Sequence, residues 1–184
     1  MVSRILPTLL VLSGLLSLSW AAGGHPSFVG QGYIRVLAGG NISAADANTR
    51  IGCMSETGAL TYSDCGVFTK HDDNGHITSR LGECTFLDDT QPGNEDSYYG
   101  KNRHAWVCRP GVSGEYYYAF DSFKLPIIWH GNLDCYEDTR SIPKPGEKLP
   151  IWPFVWGSLE TDVPPGHTKT MWMWVPLDNG TTTH

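Results

Sequence analysis

Much of what this chain lacks narrows what it can be. It contains no Cys-x-x-Cys pair, so no spacing points to structural zinc, and metal ligation gives way to disulfide formation for its cysteines. It has no Gly-x-Ser-x-Gly, no His-Glu-x-x-His and no phosphate-cradling glycine loop, so the familiar hydrolase and nucleotide signatures are absent. Basic residues are few and unclustered, 13 Lys and Arg against 19 Asp and Glu, which disfavours nucleic acid and anionic membrane as partners. No 20–50-residue repeat is visible, which disfavours solenoids and propellers. Beyond the first twenty-odd residues, no apolar run approaches the length of a membrane span.

What is present begins with an address. Arg4 precedes a short apolar run, Ile5–Leu18, interrupted by Pro7, Ser13 and Gly14, and small residues follow around Ala21. This pattern predicts a signal peptide over residues 1–24, cleaved between 21 and 24, leaving a secreted, soluble protein. The leader's one charged residue is Arg4, so its removal takes the formal charge from −6 to −7. A single domain over 25–178, with a flexible tail at 179–184, is long enough to bury a core. All five cysteines, Cys53, Cys65, Cys84, Cys108 and Cys135, lie in that domain, where an oxidising compartment makes them disulfide candidates. Cys65 lies nine residues before Asn74 and Cys84 nine after Gly75. A two-residue type I′ turn at Asn74-Gly75 would therefore set the two thiols opposite each other. The expected pairs are Cys65–Cys84 and then Cys108–Cys135, with Cys53 left over.

Short β-forming segments, such as Gly32–Leu37, Val67–His71, His76–Arg80 and Tyr116–Phe120, alternate with Gly, Pro, Asn and Asp clusters. The fold expectation is all-β: a single-domain antiparallel sandwich or barrel with a disulfide-stapled hairpin and long Pro-rich loops. In the hairpin, Phe68, Ile77 and Leu81 should face the core. Ile42–Arg50 reads as one short helical turn with Ser43 as its N-cap. Met171-Trp-Met-Trp-Val175 is apolar on both faces, as expected of a strand buried on both sides.

Candidates for chemistry are sparse. Asp72-Asp73-Asn74-Gly75, flanked by His71 and His76, is explained by turn chemistry, and an EF-type calcium loop fails because Lys70 would take its first ligand position. No metal site or cofactor is expected. Cleavage after Gly24 would make His25 the first residue, which resembles the N-terminal histidine of secreted copper-dependent polysaccharide oxidases; that likeness covers one residue, and copper needs a second imidazole. His130 ends an apolar strand with Asp134 nearby, an arrangement suited to acid–base work, and His104 and Glu137 could complete such a site. Aromatic residues form the other lead. Trp152 and Trp156 lie in a Pro-rich stretch, and in Tyr116-Tyr117-Tyr118 the outer two rings must face opposite to Tyr117. Exposed rings of this kind bind an extracellular protein or a carbohydrate face. Asn41 and Asn179 open two N-glycosylation sequons.

The leader, GYIRVL, GCMSETGALTYSDCGVFT, GECTFLDD and HAWVCRP together resemble the small cysteine-containing proteins secreted by filamentous fungi. The resemblance implies an extracellular, effector-like protein acting on a host, a competitor or the fungal surface, and supplies no catalytic residues. Two functions follow. A binding or effector-like protein predicts no buried His/Asp/Glu cluster in the main cavity. A small secreted enzyme (hydrolase, lyase or cyclase) predicts that His130 converges with Asp134, Glu137 or His104 within hydrogen-bond reach around a cavity. The absence of a catalytic motif tips the expectation toward binding.

Overall fold

The computed structural model describes residues 25–131 and 135–177. The leader, Asp134, Asn179 and the tail lie outside the described residues. Thirteen strands are described. The first seven are β1 (Gly30–Ala38), β2 (Arg50–Met54), β3 (Leu60–Thr61), β4 (Phe68–Lys70), β5 (Ile77–Ser79), β6 (Gly82–Thr85) and β7 (Val107–Cys108). They are followed by β8 (Tyr117–Tyr118), β9 (Trp129–His130), β10 (Glu137–Thr139), β11 (Lys148–Leu149), β12 (Trp152–Pro153) and β13 (Thr168–Pro176).

The two long strands, β1 and β13, form the spine. They pair antiparallel from Gly32↔Pro176 to Ala38↔Thr170. On its other edge β1 is shared, holding β4 at Gly30–Gly32 and β2 at Arg35–Leu37, so the sheet forks. One branch runs β4-β5-β6-β7 and the other β2-β3-β11. The far edge of β13 takes β10, which takes β12. The segment before β9 docks on that same edge, with Ile128 N–H donating to Trp172 O at 2.8 Å and Trp174 N–H to Pro126 O at 3.0 Å. The result is the expected all-β, antiparallel architecture, curled into a half-barrel and carrying two disulfides. Strand twist closes a sheet partway in this manner.

β13 is buried on both faces, as its sequence requires. Trp172 and Trp174 enter a core with Ile34, Phe68, Phe86, Trp106 and Tyr117. Met171 and Met173 enter a second core with Leu37, Ile127 and Cys135. Each such side chain contributes roughly 2–3 kcal/mol on burial.

The stapled hairpin is corrected. β4 and β5 pair as Phe68↔Ser79, Thr69↔Thr78 and Lys70↔Ile77, so the register is two residues away from that of an Asn74-Gly75 type I′ turn. His71–His76 forms the connection. His71 N–H donates to His76 O, Gly75 N–H donates to His71 O, and the Asn74 side chain accepts from His76 N–H. Gly75 takes a positive φ, 73°. A second turn at Arg80-Leu81 then starts β6, so Cys84 lies on a third strand. There it faces Cys108 of β7 directly, Cα to Cα 4.0 Å, and these two form a disulfide. Cys65, ahead of β4, joins Cys53 of β2. Cys135 is buried and belongs to neither disulfide. Phe68 and Ile77 face the core as expected, but Leu81 sits partly buried in the turn. The single helical turn is likewise replaced by two 3₁₀ turns, Ile42–Ala44 and Ala47–Thr49, capped by Asn41 and Asp46 rather than Ser43.

Candidate functional site

β8 and β9 pair through Tyr117↔His130 and Tyr118↔Trp129. Period-two alternation sends Tyr117 and His130 into the half-barrel and Tyr118 and Trp129 to the opposite side, where both are half-buried and Trp129 packs against the second core. Over His130 lies a cavity of about 280 Å³. Its lower wall is Phe86 and His130; Glu115 and Arg103 supply charge, and Val155 and Trp156 form the lip. The volume suits a group about the size of one sugar unit and falls just below that of typical small-molecule sites.

Glu137 reaches His130 from a distant part of the chain. β10 pairs with β13 through Glu137↔Thr170, which aims Glu137 inward. His130 Nε2 lies 3.7 Å from Glu137 Oε1, with side-chain exposures of 4% and 0%. The Phe86 ring packs against the imidazole at 4.9 Å. Desolvation by this burial, assisted by the Arg103 charge, lowers the His130 pKa to about 4. At 3.7 Å the carboxylate is beyond hydrogen-bond distance, so burial outweighs it and the imidazole is neutral near pH 7.

Glu115 is held by three donors converging on Oε2: the Phe86 N–H at 2.5 Å, the Thr85 hydroxyl at 3.1 Å and the Tyr117 hydroxyl at 3.3 Å. Tyr117 in turn accepts from the Trp106 indole N–H at 2.7 Å. Burial, together with the Glu115 carboxylate, pushes the Tyr117 pKa well above its ordinary value, so the phenol is a fixed donor rather than a base. The site thus combines a neutral imidazole, two carboxylates and a guanidinium under an aromatic lip.

Among the residues expected to carry chemistry, the structure brings His130 and Glu137 to 3.7 Å, neighbours but outside the hydrogen-bond reach expected of them. Asp134 lies outside the described residues. His104 is corrected: its Nδ1 bonds the Gln91 carbonyl at 3.1 Å, and its neighbour Arg103 lines the cavity instead. Trp152 is also corrected. It is 1% exposed, its indole N–H donates to Pro92 O, and Arg140 covers its ring, so it is scaffold. Trp156 is 69% exposed at the lip. Tyr116, 59% exposed, and Tyr118, half-buried, face away from this cavity. Glu115 escaped sequence reading although its signal was present. It lies two residues before Tyr117, so the alternation that turns Tyr117 inward turns Glu115 the same way.

A second buried titratable cluster braces the site from behind. Asp138, on the opposite face of β10 from Glu137, accepts from the Asn94 amide at 2.7 Å and pairs with His167 Nδ1 at 2.7 Å. His167 Nε2 lies 3.3 Å from Asp96, which also binds Arg140 at 2.8 Å. Burial raises the Asp138 pKa against the opposing pull of Asn94 and His167. These contacts pin the long connection between β6 and β7 that carries Arg103. Among the described residues, no three His, Cys, Asp or Glu side chains converge as metal ligands. His25 does not suit a copper chelate: its backbone N–H donates to Ala119 O and its Nδ1 accepts from Ser27 N–H. No family model, no curated protein and no solved structure matches the chain.

Proposed function

We propose that the protein is a small secreted enzyme of hydrolase, lyase or cyclase type, using His130 and Glu137 for acid–base chemistry on an extracellular ligand. The observation that carries this reading is His130 in the wall of a cavity that also holds Glu115 and Arg103, with the fully buried Glu137 3.7 Å from its Nε2. A neutral imidazole offers a lone pair to a substrate proton. Glu137 beside Nε2 favours the tautomer protonated there, leaving Nδ1 as the base. Arg103 supplies positive charge at the cavity wall, where it can meet a developing oxyanion. Two disulfides and the leader pattern support an extracellular setting. The likeness to small secreted fungal proteins supports a ligand on a host, a competitor or the fungal surface. Asn41, exposed at the start of a 3₁₀ turn, is accessible for glycosylation.

The test is an incubation of the protein with pectin, chitin and β-glucan, reading new reducing ends and unsaturated products. A His130→Gln variant that folds normally should lose turnover by about 10²–10⁴-fold. Equal turnover in that variant would defeat the acid–base reading. A second reading, effector-like binding of an extracellular protein or carbohydrate without chemistry, is favoured by the exposure of Trp156 and Tyr116. It stands instead if none of the polysaccharides is turned over and Trp156→Ala weakens their capture.

A further inference from the structure

The β8–β9 hairpin carries a second feature on its outer face. Tyr116, Tyr118 and Trp129 point there, and Phe120 and Phe123 join them from the connection between the strands. The rings succeed one another at shallow angles: Tyr116 to Tyr118 at 5.8 Å and 32°, Tyr118 to Trp129 at 6.3 Å and 23°, and Trp129 to Phe123 at 6.0 Å and 26°. Phe120 packs edge-on against Tyr118 and Trp129. Tyr116 is exposed; the other four are half-buried, with Trp129 also resting on the second core.

At the Tyr116 end this strip opens into a separate cavity of about 290 Å³, walled by His25, Lys70 and Asp72. The 71–76 connection sets the position of Tyr116. A Cβ on Gly75 would lie 2.2 Å from the Tyr116 ring, and Tyr117 N–H donates to Gly75 O at 2.9 Å. Lys70 is 9% exposed and spends one of its three hydrogens on His71 O at 2.8 Å, leaving two. Because His25 Nδ1 accepts from Ser27 N–H, its neutral ring carries the proton on Nε2 and has a donor there. Asp72 is an exposed acceptor.

One cation and one anion beside a ring leave the cavity without net charge while offering both donors and acceptors. A purely apolar partner would cover Asp72 and the two remaining Lys70 hydrogens without giving them hydrogen-bond partners, which is unfavourable. An anionic ligand would meet Asp72, and a cationic one Lys70. A neutral polyol with one flat C–H face meets none of these penalties. Its face lies on the rings and its hydroxyls reach the polar walls.

We propose that the outer face of the β8–β9 hairpin, from Tyr116 to Trp129, and the cavity walled by His25, Lys70 and Asp72 form a binding site for a neutral β-linked glycan of equatorial pyranose units. The proposal is independent of chemistry at His130, which faces the other way.

Calorimetric titration of the full secreted chain with chitohexaose, cellohexaose and laminarihexaose, and with oligogalacturonate as the acidic arm, tests it. At least one neutral hexasaccharide should bind, and more tightly than the acidic one. Tyr116→Ala should weaken binding by about tenfold, and Tyr116→Phe by no more than about twofold, because the ring rather than the hydroxyl carries the contact. Tyr98→Ala, which removes an exposed ring elsewhere, should leave binding unchanged. If Tyr116→Ala shifts the urea midpoint, Asp72→Ala, at an exposed loop position, reads the same site and should weaken binding severalfold. Failure of all three neutral probes, tighter binding of oligogalacturonate, or an unweakened site variant of normal fold would overturn the proposal.

Discussion

The His130–Glu137 pair makes a signed prediction about pH. His130 has a folded pKa of about 4, below its ordinary 6.5, because burial disfavours the imidazolium. Between those two values the unfolded chain binds a proton that the folded chain does not. Stability therefore rises with pH across the window from 4 to 6.5 and is unaffected by this group well above it. The penalty works out at about 2 kcal/mol at pH 5 and about 3 kcal/mol at pH 4. Other groups titrate nearby. Arg109 beside Asp88 holds that carboxyl well below the usual range, so its contribution is lost only at lower pH. The raised pKa of Asp138 acts in the opposite sense, favouring the folded state as pH falls. A single stability curve mixes these contributions; the difference from His130→Gln isolates one of them. Urea unfolding followed by tryptophan fluorescence at pH 7 and pH 5 should show wild type losing about 2 kcal/mol more than the variant. The imidazole resonance should titrate near pH 4 in the native state. A difference that does not change with pH would refute the reasoning. So would titration above 6.5, which would mean that the Glu137 charge, not burial, governs His130.

Further expectations test the scaffold. Peptide mapping without reduction should recover Cys53 joined to Cys65 and Cys84 joined to Cys108. In denaturant melts, replacing both members of a pair by Ser should cost about 3 kcal/mol for the shorter loop and about 3.5 kcal/mol for the longer. Asp138→Ala leaves the Asn94 amide and His167 without their buried acceptor and should cost about 2–3 kcal/mol in urea unfolding, with Asp138→Asn losing less. Gly75→Ala forces a side chain onto a positive φ and into the Tyr116 ring; a loss of about 1–2 kcal/mol is expected in the same assay.

Local alternation was sound where it was used. It set Tyr117 against Tyr116 and Tyr118, buried both faces of β13, and put Phe68 and Ile77 inside. The same rule, extended two residues back from Tyr117, would have found Glu115. It failed at the hairpin because Asn74-Gly75 has more than one way to turn. The Asn74 side chain and the Gly75 N–H close a longer connection, and the two-residue register shift moves Cys84 away from Cys65. Trp152 misled for a related reason: a tryptophan among prolines reads as an exposed loop, whereas its pairing with β10 and its bond to Pro92 O bury it.

By itself the sequence determined the strand-rich, antiparallel character of the protein and which side of each strand points inward. Those properties depend on neighbours one or two residues apart. Tertiary structure alone decided which cysteines meet, that Glu137 rather than His104 stands beside His130, and that Arg103 and Trp156 share a cavity with His130. Those choices depend on the register of β1, β10 and β13, strands more than ninety residues apart at the extremes, and on which edge of each strand is left for the next. The Asn74-Gly75 stretch shows both sides: composition alone predicts a turn there, while its length, and with it the disulfide partners, follow from hydrogen bonds that form only in the folded chain.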